Sequence, residues 1–357
     1  TTPEMGNVMG RPIIAKLNNG ATAAIVANGP NSTSDKAVLY ILNVTDGSVI
    51  AAINTNTGSA TTPNGLSTPV GWDDDADGDV DVVYAGDLLG NLWRFNIGDA
   101  VPGNWTSASN RVILHSAKDG GGLAQPIFGA PTVGVDPSTY KTWVFFGTGR
   151  LLNAEDIFAS DGTPNVNVQS WYGLLDEAAN IASRGSLQER KVVAAGAIAG
   201  NVVRGFESYA ALPAGKKGWF IDFKEPAVAP ATGLLAKGER VIGDTQIIGR
   251  NLFVSSVIPS SDGCGKPGRG YLNAIDAFTG SSVQQNFFDA DDDGQFSDDN
   301  VGGVPVGSID VNVAMPTGGL LIDDRLHLGG SGGNNASARV NLDGLRGRIS
   351  WRELKKD

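Results

Sequence analysis

The sequence predicts an all-β protein, a β-propeller with seven blades, or six as the alternative, with a calcium loop inserted in a blade hairpin. Short runs of Val, Ile, Phe and Tyr alternate with turns rich in glycine, which supplies 49 of the 357 residues; this is typical of many strands joined by tight turns. Similar hairpins begin at residues 12, 69 and 131, which are 57 and 62 residues apart. That period suits a four-stranded blade with loop insertions. At about 55 residues per blade, residues 1–357 are predicted to form a single propeller domain.

Five hairpins are predicted to begin blades, and each joins two short apolar segments through a polar turn. The paired segments are 12–20 with 24–29, 69–72 with 82–86, 131–136 with 143–149, 245–248 with 252–255, and 316–322 with 326–329. A further strand is predicted where an apolar run ends in Asn or Asp, since these side chains bond the backbone two residues on and open a turn. Such strands lie at 39–47, 92–99 and 272–280, with looser copies at 172–176 and 218–222. Weak helical periodicity occurs at 174–182 and 188–199.

The segment at 347–354 predicts one more strand near the end of the chain. It would complete the first blade, so that closure of the ring leaves no long open edge. The seven Trp residues, with Tyr and Phe, occur mainly in the repeated strands. We therefore expect them to pack between blades.

The most acidic segment, loop 1 (residues 73–81), has Asp at every second position around one glycine. Oxygen ligands at this spacing converge on one calcium ion (Ca2+), and Gly78 supplies the sharp turn. The predicted ligands are the carboxylates of Asp73, Asp75, Asp77 and Asp81 and the backbone carbonyl near Asp79. A helix-loop-helix calcium site needs Glu at position 12, where this chain has Tyr84 in a strand pattern. Loop 1 is therefore predicted to close a hairpin, and its mutual charge repulsion predicts order that depends on the metal.

A second acidic segment, loop 2 (residues 289–299), repeats the pattern of acids at positions 1, 3 and 5 with Gly294 at position 6. Position 9 is a serine, which is a weaker ligand, so Asp298 or Asp299 is predicted to complete the shell directly or through water. The candidate ligands are Asp289, Asp291, Asp293, Gln295, Ser297 and Asp298, with Asp299 as the alternative to Asp298. An acidic surface loop that binds nothing is the alternative interpretation.

Charge and composition exclude several classes of function. A net charge of −11 with 27 unclustered basic residues argues against nucleic acid or an anionic membrane as the main partner. No apolar stretch is long enough to span a membrane, and residues 1–9 do not resemble a signal peptide, so a mature fragment or excised domain is expected. Calcium loops without the position-12 Glu suit millimolar extracellular calcium. The single cysteine, Cys264, cannot form an internal disulfide.

Few residues suggest catalysis, and the chain is predicted not to be an enzyme. His115 and His327 both lie in strand patterns, which favours packing or surface roles. With one cysteine there is no zinc cluster. Residues 329–333 match Gly-x-Ser-x-Gly, but a nucleophile elbow needs a following helix and a later His. That segment and residues 147–150 are better interpreted as turns than as phosphate-binding loops.

Segments 27–32, 86–96, 146–150 and 348–354, in this order, resemble the C-terminal domain of the PilY/PilC family of type IV pilus tip-associated proteins. The resemblance covers essentially the whole chain. It implies a modified β-propeller, usually seven-bladed, from a longer precursor whose N-terminal region, often with a von Willebrand A-like domain, is absent here. It also assigns calcium ligation to Asp73, Asp75, Asp77 and Asp81, with the carbonyl of Asp79. Some members carry Arg-Gly-Asp for integrin binding, whereas Arg204 and Arg269 here are followed by Gly-Phe and Gly-Tyr.

The resemblance implies calcium-controlled pilus extension and retraction, with adhesion and twitching motility. Its partners would be major and minor pilins and host-cell or abiotic surfaces, at an extracellular pilus tip or the outer membrane after export through the periplasm. One alternative is a quinone-dependent dehydrogenase, since 274–280 resembles its blade repeat; a single cysteine cannot supply the disulfide on which those enzymes stack the cofactor. Another alternative is a glycan-binding adhesin without a regulatory role.

Overall fold

The computed structural model describes residues 4–227, 233–260 and 268–342 and is built almost entirely of strands. Its one α-helix is the single turn α1 (Pro102–Trp105), and three 3-10 turns lie at Ala108–Asn110, Ala154–Asp156 and Arg184–Ser186. None of the helices in the described ranges is long and apolar enough to cross a membrane. Cys264 and the predicted strand at 347–354 lie outside the described residues.

The first two blades are four-stranded antiparallel meanders, as the repeats predict. Blade 1 consists of β1 (Ile13–Lys16), β2 (Thr22–Ala27), β3 (Val38–Asn43) and β4 (Val49–Asn54). Blade 2 consists of β5 (Val70–Trp72), β6 (Val82–Gly86), β7 (Asn91–Asn96) and β8 (Arg111–Ser116). Loop 1 joins β5 to β6, where Trp72 pairs with Val82, so it does close a hairpin between two strands.

The middle of the chain exchanges strands between neighbouring blades. Its strands are β9 (Thr132–Val135), β10 (Thr142–Gly147), β11 (Ser170–Leu175), β12 (Gln188–Arg190), β13 (Val192–Ile198), β14 (Asn201–Phe206) and β15 (Gly218–Asp222). Blade 3 has the order β12-β15-β11-β10-β9, with β12 parallel to β15, whereas β13 and β14 cross to the next blade. Segments 174–182 and 188–199, where the sequence has weak helical periodicity, contain no α-helix; β11 ends in the first, and β12 and β13 occupy most of the second.

The last described strands complete two more blades. They are β16 (Lys224–Pro226), β17 (Leu234–Ala236), β18 (Gln246–Ile248), β19 (Asn251–Ile258), β20 (Arg269–Asp276), β21 (Phe288–Asp289), β22 (Asn300–Val301), β23 (Val304–Asp310), β24 (Leu320–Ile322), β25 (Arg325–Gly329) and β26 (Asn335–Val340). Blade 4 has the order β13-β14-β23-β20-β19-β18, and β22 pairs with β23. Blade 5 has the order β21-β26-β25-β24, and β16 and β17 form a separate hairpin. All five predicted hairpins are therefore paired strands at one edge of a blade.

The core lies between successive blades, because each inner sheet is covered on both faces. Strand β6 shows this arrangement: Val83 and Ala85 pack toward blade 1, whereas Val82 and Tyr84 pack toward blade 3. Further apolar clusters join blade 3 to blade 4 and blade 4 to blade 5. Since side chains alternate between the faces of a strand, burial on both faces produces continuous apolar runs in place of polar alternation.

The blades at the two ends of the described series each have an exposed apolar side chain on an edge strand. Ile14 of β1 is 63% exposed and Leu320 of β24 is 64% exposed. The five blades account for residues 4–227, 233–260 and 268–342 only. The predicted count of seven or six blades, and the prediction that residues 1–357 form a single domain, stay predictions.

One segment that carries the family resemblance, 86–96, begins with a structural turn. Asp87 is fully buried, and its carboxylate accepts hydrogen bonds from the side chains of Asn64, Asn91 and Trp93 at 2.9–3.0 Å and from two backbone amides. A side chain on Gly90, at φ +84°, would meet the backbone carbonyl of the loop packed against it. These hydrogen bonds offset the cost of burying the charge of Asp87. The bond from Asn64 also ties Asp87 of blade 2 to the segment that connects blade 1 to blade 2.

Candidate metal centre

Loop 1 brings three of its predicted ligands together at the tip of the β5–β6 hairpin. Carboxylate oxygens of Asp73, Asp75 and Asp81 all lie within 4.8 Å of one another. Asp77 is exposed beside them, and its carboxylate accepts the backbone N–H of Asp79 at 2.8 Å. Calcium takes six to eight oxygen ligands at about 2.3–2.6 Å, so oxygens this close together can share one ion.

The backbone of loop 1 wraps around the first carboxylate. Asp73 accepts the N–H of Ala76 at 2.7 Å on one oxygen and that of Gly78 at 2.8 Å on the other. The loop can turn this sharply because Ala76 and Gly78 have φ of 63° and 94°. At the end of the loop, Asp81 accepts the N–H of Asp74 at 2.8 Å, which closes the ring of acids. These amide bonds offset part of the repulsion among the carboxylates.

Blade 1 holds the other side of loop 1. Lys16, at the end of β1, donates to the carboxylate of Asp79 at 2.7 Å, and Asn18 donates to that of Asp81 at 2.9 Å. The N–H of Val80 also donates to the carbonyl of Lys16 at 3.0 Å. The Asp79 side chain is thus engaged with Lys16, an arrangement that fits its predicted use as a ligand through the backbone carbonyl.

The charges of loop 1 act on its own titratable groups. Desolvation, followed by the negative charges of Asp77, Asp81 and Asp73, raises the pKa of Asp75. The hydrogen bond and the charge of Asp79 raise the pKa of Lys16. A site made only of carboxylate and carbonyl oxygens suits a hard cation such as calcium. The donor set of loop 1 therefore fits the predicted ion.

Loop 2 reproduces the first half of this arrangement between β21 and β22. Carboxylate oxygens of Asp289, Asp291 and Asp293 lie within 4.8 Å of one another. Asp289 accepts the N–H of Asp293 at 3.1 Å on one oxygen and that of Gly294 at 2.9 Å on the other, as Asp73 does in loop 1. In the described ranges 4–227, 233–260 and 268–342, loops 1 and 2 contain the two clusters of three or more His, Cys, Asp or Glu side chains close enough to share an ion.

The second half of loop 2 contains the remaining candidate ligands, whose role in binding stays a prediction. Gln295 is exposed and donates its N–H to Asp293 at 2.7 Å. Ser297 is exposed, and its carbonyl accepts from the side chain of Asn300 at 2.9 Å. The Asp298 side chain is also exposed. Asp298 is not among the acids that the loop draws together at its first turn.

Asp299 makes the backbone bond in loop 2 that Asp81 makes in loop 1. Its Oδ1 accepts the N–H of Ala290, the second loop residue, at 2.8 Å, as Asp81 accepts that of Asp74. Asp299 is 2% exposed, and its Oδ2 has no hydrogen-bond partner among the described residues. Desolvation, with the charges of Asp289, Asp291 and Asp298, raises the pKa of Asp299 to about 6. The sequence does contain a signal for this equivalence, because Asp81 and Asp299 each directly precede a strand. The two extra residues of loop 2 shift Asp299 away from position 9 and so obscure the signal.

Two arginines of blade 5 lie against loop 2. Arg339 of β26 approaches the carboxylate of Asp289 at 3.4 Å, and the Asp289 side chain is fully buried. Arg325 of β25 pairs with the exposed Asp292 at 2.6 Å. Sequence spacing gives no sign of these partners, because they lie 33 and 50 residues after the acids that they contact and meet them through the pairing of β21, β26 and β25.

The other sequence candidates occupy structural positions. His115 is 1% exposed, and its Nδ1–H donates to the carbonyl of Ile181 at 2.8 Å; burial lowers its pKa. His327 is exposed between the buried Leu326 and Leu328, as the strand pattern predicts. The Gly-x-Ser-x-Gly segment is followed by strand β26, so it lacks the helix of a nucleophile elbow.

Comparison with known proteins shows the family to which this chain is related. A family model described as the PilY1 beta-propeller domain matches residues 1–202, which include loop 1. A type IV pilus biogenesis factor PilY1 homolog of Xylella fastidiosa is 35% identical over 353 residues, which cover 98% of this chain and 27% of that protein. The chain belongs to the PilY1 family. This confirms the resemblance found in the sequence.

Other PilY1 proteins agree in sequence and in fold. The type IV pilus biogenesis factor PilY1 of Pseudomonas aeruginosa is 30% identical over 321 residues, covering 80% of this chain and 27% of the relative. The crystal structure of the P. aeruginosa PilY1 C-terminal domain superimposes with a TM-score of 0.74 at 26% identity, covering 95% of this chain and 74% of that one. The predicted β-propeller fold is therefore confirmed. The chain spans about a quarter of the length of these PilY1 relatives.

Proposed function

We propose that this chain is the calcium-responsive propeller region of a type IV pilus biogenesis factor, with loop 1 as the calcium site. The names of its PilY1 relatives support the role in pilus biogenesis. The observation that carries the calcium assignment is the convergence of Asp73, Asp75 and Asp81 within 4.8 Å in a loop whose donors are all oxygens. This role needs no catalytic group, so the proposed function is not enzymatic.

The proposed ligands act together with the loop backbone. They are the carboxylates of Asp73, Asp75, Asp77 and Asp81 and the backbone carbonyl of Asp79. When bound, the ion supplies positive charge that neutralises the clustered acids. The amide bonds to Asp73 and Asp81 hold those carboxylates in place beforehand, which reduces the ordering required on binding.

Loop 1 is placed to transmit its state to a surface shared by two blades. Lys16 and Asn18 join it to β1 of blade 1, while β5 and β6 join it to blade 2. A change of charge and order at this tip alters what a partner meets there. In this proposal the bound state favours pilus extension over retraction, and the propeller supports adhesion and twitching motility.

The proposed partners are the major and minor pilins, together with host-cell or abiotic surfaces. The proposed location is extracellular, at the pilus tip or the outer membrane, reached through the periplasm. Millimolar calcium outside the cell suits a loop that lacks the bidentate Glu of high-affinity sites.

The test combines calcium binding with pilus function in the full-length protein of its host. Asp81→Ala is expected to lower calcium affinity at least tenfold by calorimetry and to change surface piliation and twitching in the same direction as calcium removal. Asp74→Ala is the matched control, since its exposed side chain is not among the proposed ligands. Unchanged calcium binding in Asp81→Ala would overturn the ligand assignment, and lost binding with normal piliation and twitching would overturn the regulatory role.

A further inference from the structure

We propose that loop 2 is a second calcium site, closed by Asp299, which links blade 5 to blade 4. The first observation is the cluster of Asp289, Asp291 and Asp293, whose carboxylate oxygens lie within 4.8 Å of one another. Loop 2 is separate from the calcium switch proposed for loop 1, so either site can exist without the other.

Asp299 supplies the second, independent observation. A carboxylate that is 2% exposed needs a partner for each oxygen, because an unpaired buried charge is costly. Its Oδ1 is satisfied by the N–H of Ala290, whereas its Oδ2 has no hydrogen-bond partner among the described residues. The negative charges of Asp289 and Asp291 act on this carboxylate, which therefore lies in an acidic neighbourhood. A cation satisfies this oxygen and the acidic cluster together.

Comparison with loop 1 indicates how the site is closed. There, Asp81 accepts the N–H of the second loop residue and is one of the three clustered acids. Asp299 makes the same bond to the second residue of loop 2 and also directly precedes a strand. The two additional residues of loop 2 place Ser297 and Asp298 at the surface. Asp299 lies outside the three clustered acids Asp289, Asp291 and Asp293, but it makes the closing backbone bond, so the proposal assigns the closing position to Asp299 in place of Ser297 or Asp298.

The two ends of loop 2 belong to different blades. Asp289 ends β21, which pairs with β26 of blade 5. Asp299 precedes β22, which pairs with β23 of blade 4, and its carbonyl accepts the N–H of Val306 in β23 at 3.0 Å. An ion held by both acids therefore connects the outer strand of blade 5 to blade 4. Loop 1, in contrast, closes a hairpin within blade 2.

The ion that fits this site is calcium. The available donors are carboxylate and carbonyl oxygens on a loop of eleven residues, and calcium accepts a larger and less regular oxygen shell than magnesium does. Arg339 beside Asp289 supplies one positive charge from blade 5, which stabilises the buried acid before the ion binds.

The experiment titrates calcium chloride into the chelator-treated 357-residue chain by calorimetry, in a background of Asp73→Ala with Asp81→Ala that disables loop 1. One site is expected to remain. In this background, Asp299→Asn keeps an acceptor for the Ala290 amide but loses the charge, and it is expected to weaken binding at least tenfold. Asp298→Asn, the exposed neighbour, is expected to change affinity less than twofold.

Three results would overturn the inference: no calcium binding in the loop 1 background, unchanged affinity in Asp299→Asn, or an equal loss in Asp298→Asn. Failure of the loop 1 proposal gives a different result, because the unmutated chain then binds one ion and the background still binds it. Thermal melting with chelator separates ligation from folding. If Asp299 is a ligand, Asp299→Asn in the loop 1 background melts no lower in chelator than that background does, but it loses the rise in melting temperature that calcium produces there.

Discussion

Loops 1 and 2 share a local pattern but differ in their attachment to the propeller. In loop 1 the first acid, Asp73, is partly exposed, and the loop lies at the tip of a hairpin within blade 2. In loop 2 the first acid, Asp289, is fully buried at its side chain, and the last acid, Asp299, is 2% exposed. A similar cluster of Asp side chains thus occurs once at the surface and once between two blades.

The difference shows that an acidic motif does not define a role without its surroundings. Loop 1 is balanced by Lys16, whose side chain is 61% exposed and so can move away at little cost. Loop 2 is balanced by Arg339, whose side chain is 29% exposed and lies 3.4 Å from the fully buried Asp289 and 3.5 Å from Asp324 of blade 5, so it is held on two sides. We therefore expect loop 1 to respond to calcium by a change at the surface and loop 2 by a change in stability.

The largest expected effect is on the stability of the chelator-treated protein. Asp289→Ala leaves Arg339 and two backbone amides without their buried acceptor, so the free energy of unfolding is expected to fall by about 3 kcal/mol. Asp73→Ala, at the more exposed position, is expected to cost about 1 kcal/mol. Urea unfolding measures both, and equal losses would contradict the distinction between the two loops. Asp292→Ala, which removes an exposed pair with Arg325, is the control and is expected to cost less than about 1 kcal/mol.

The effect of calcium on amide hydrogen exchange should be somewhat smaller. The set of amides that calcium protects is expected to differ between the two loops. At a calcium concentration about 100 times the dissociation constant, binding stabilises the bound form by about 2.7 kcal/mol. We expect slower exchange of the amides of Ala76 and Gly78 in loop 1, and slower exchange along β21 and β22 for loop 2. Mass spectrometry of exchanging samples with calcium or chelator measures this. Protection confined to residues 289–299 would argue against a link between blades 4 and 5.

Removal of the balancing lysine should have a modest effect on loop 1. Lys16→Gln removes a positive charge bonded to Asp79, so calcium affinity at loop 1 is expected to rise about two- to fivefold, in the range of an exposed ion pair. Calorimetry at low salt measures the change. Lys36→Gln is the control because Lys36 has no ion pair with either loop in the described residues. Weaker calcium binding in Lys16→Gln would show that Lys16 positions the loop.

The smallest expected effect is the pH dependence of stability that comes from His115. This residue is buried in blade 2, so its effect tests the core of that blade and not the two loops. Burial lowers the pKa of His115 below the usual 6.5, so the unfolded chain binds the proton more tightly. The contribution of neutral His115 to stability is present above pH 6.5 and is lost as the pH falls below it, by at most about 1.4 kcal/mol per pH unit. In urea unfolding between pH 7 and 5.5, the difference in slope between His115→Gln and the unmutated chain isolates this contribution, because Asp299, whose pKa is about 6, titrates in both proteins. This difference is expected to be equal with calcium or chelator, and a difference that changes with calcium would attribute it to the loops.

Local features of the chain were predictable from the sequence. Hairpins such as β5–β6 and β24–β25 pair segments a few residues apart, so apolar runs and turn residues are enough to place them. The ring of acids in loop 1 was equally visible, because its spacing and its glycine are local. The Asp87 turn was detected as a family motif, although its part in joining blades 1 and 2 was not.

Contacts between distant segments were decided only by the tertiary structure. The crossing of β13 and β14 into blade 4, the pairing of Lys16 with Asp79 and of Arg339 with Asp289, and the burial of Asp299 all depend on how sheets stack. Sequence periodicity reports which residues share a face of one strand. It does not report which strand of which blade covers that face, because stacking depends on the combined shape of all the blades.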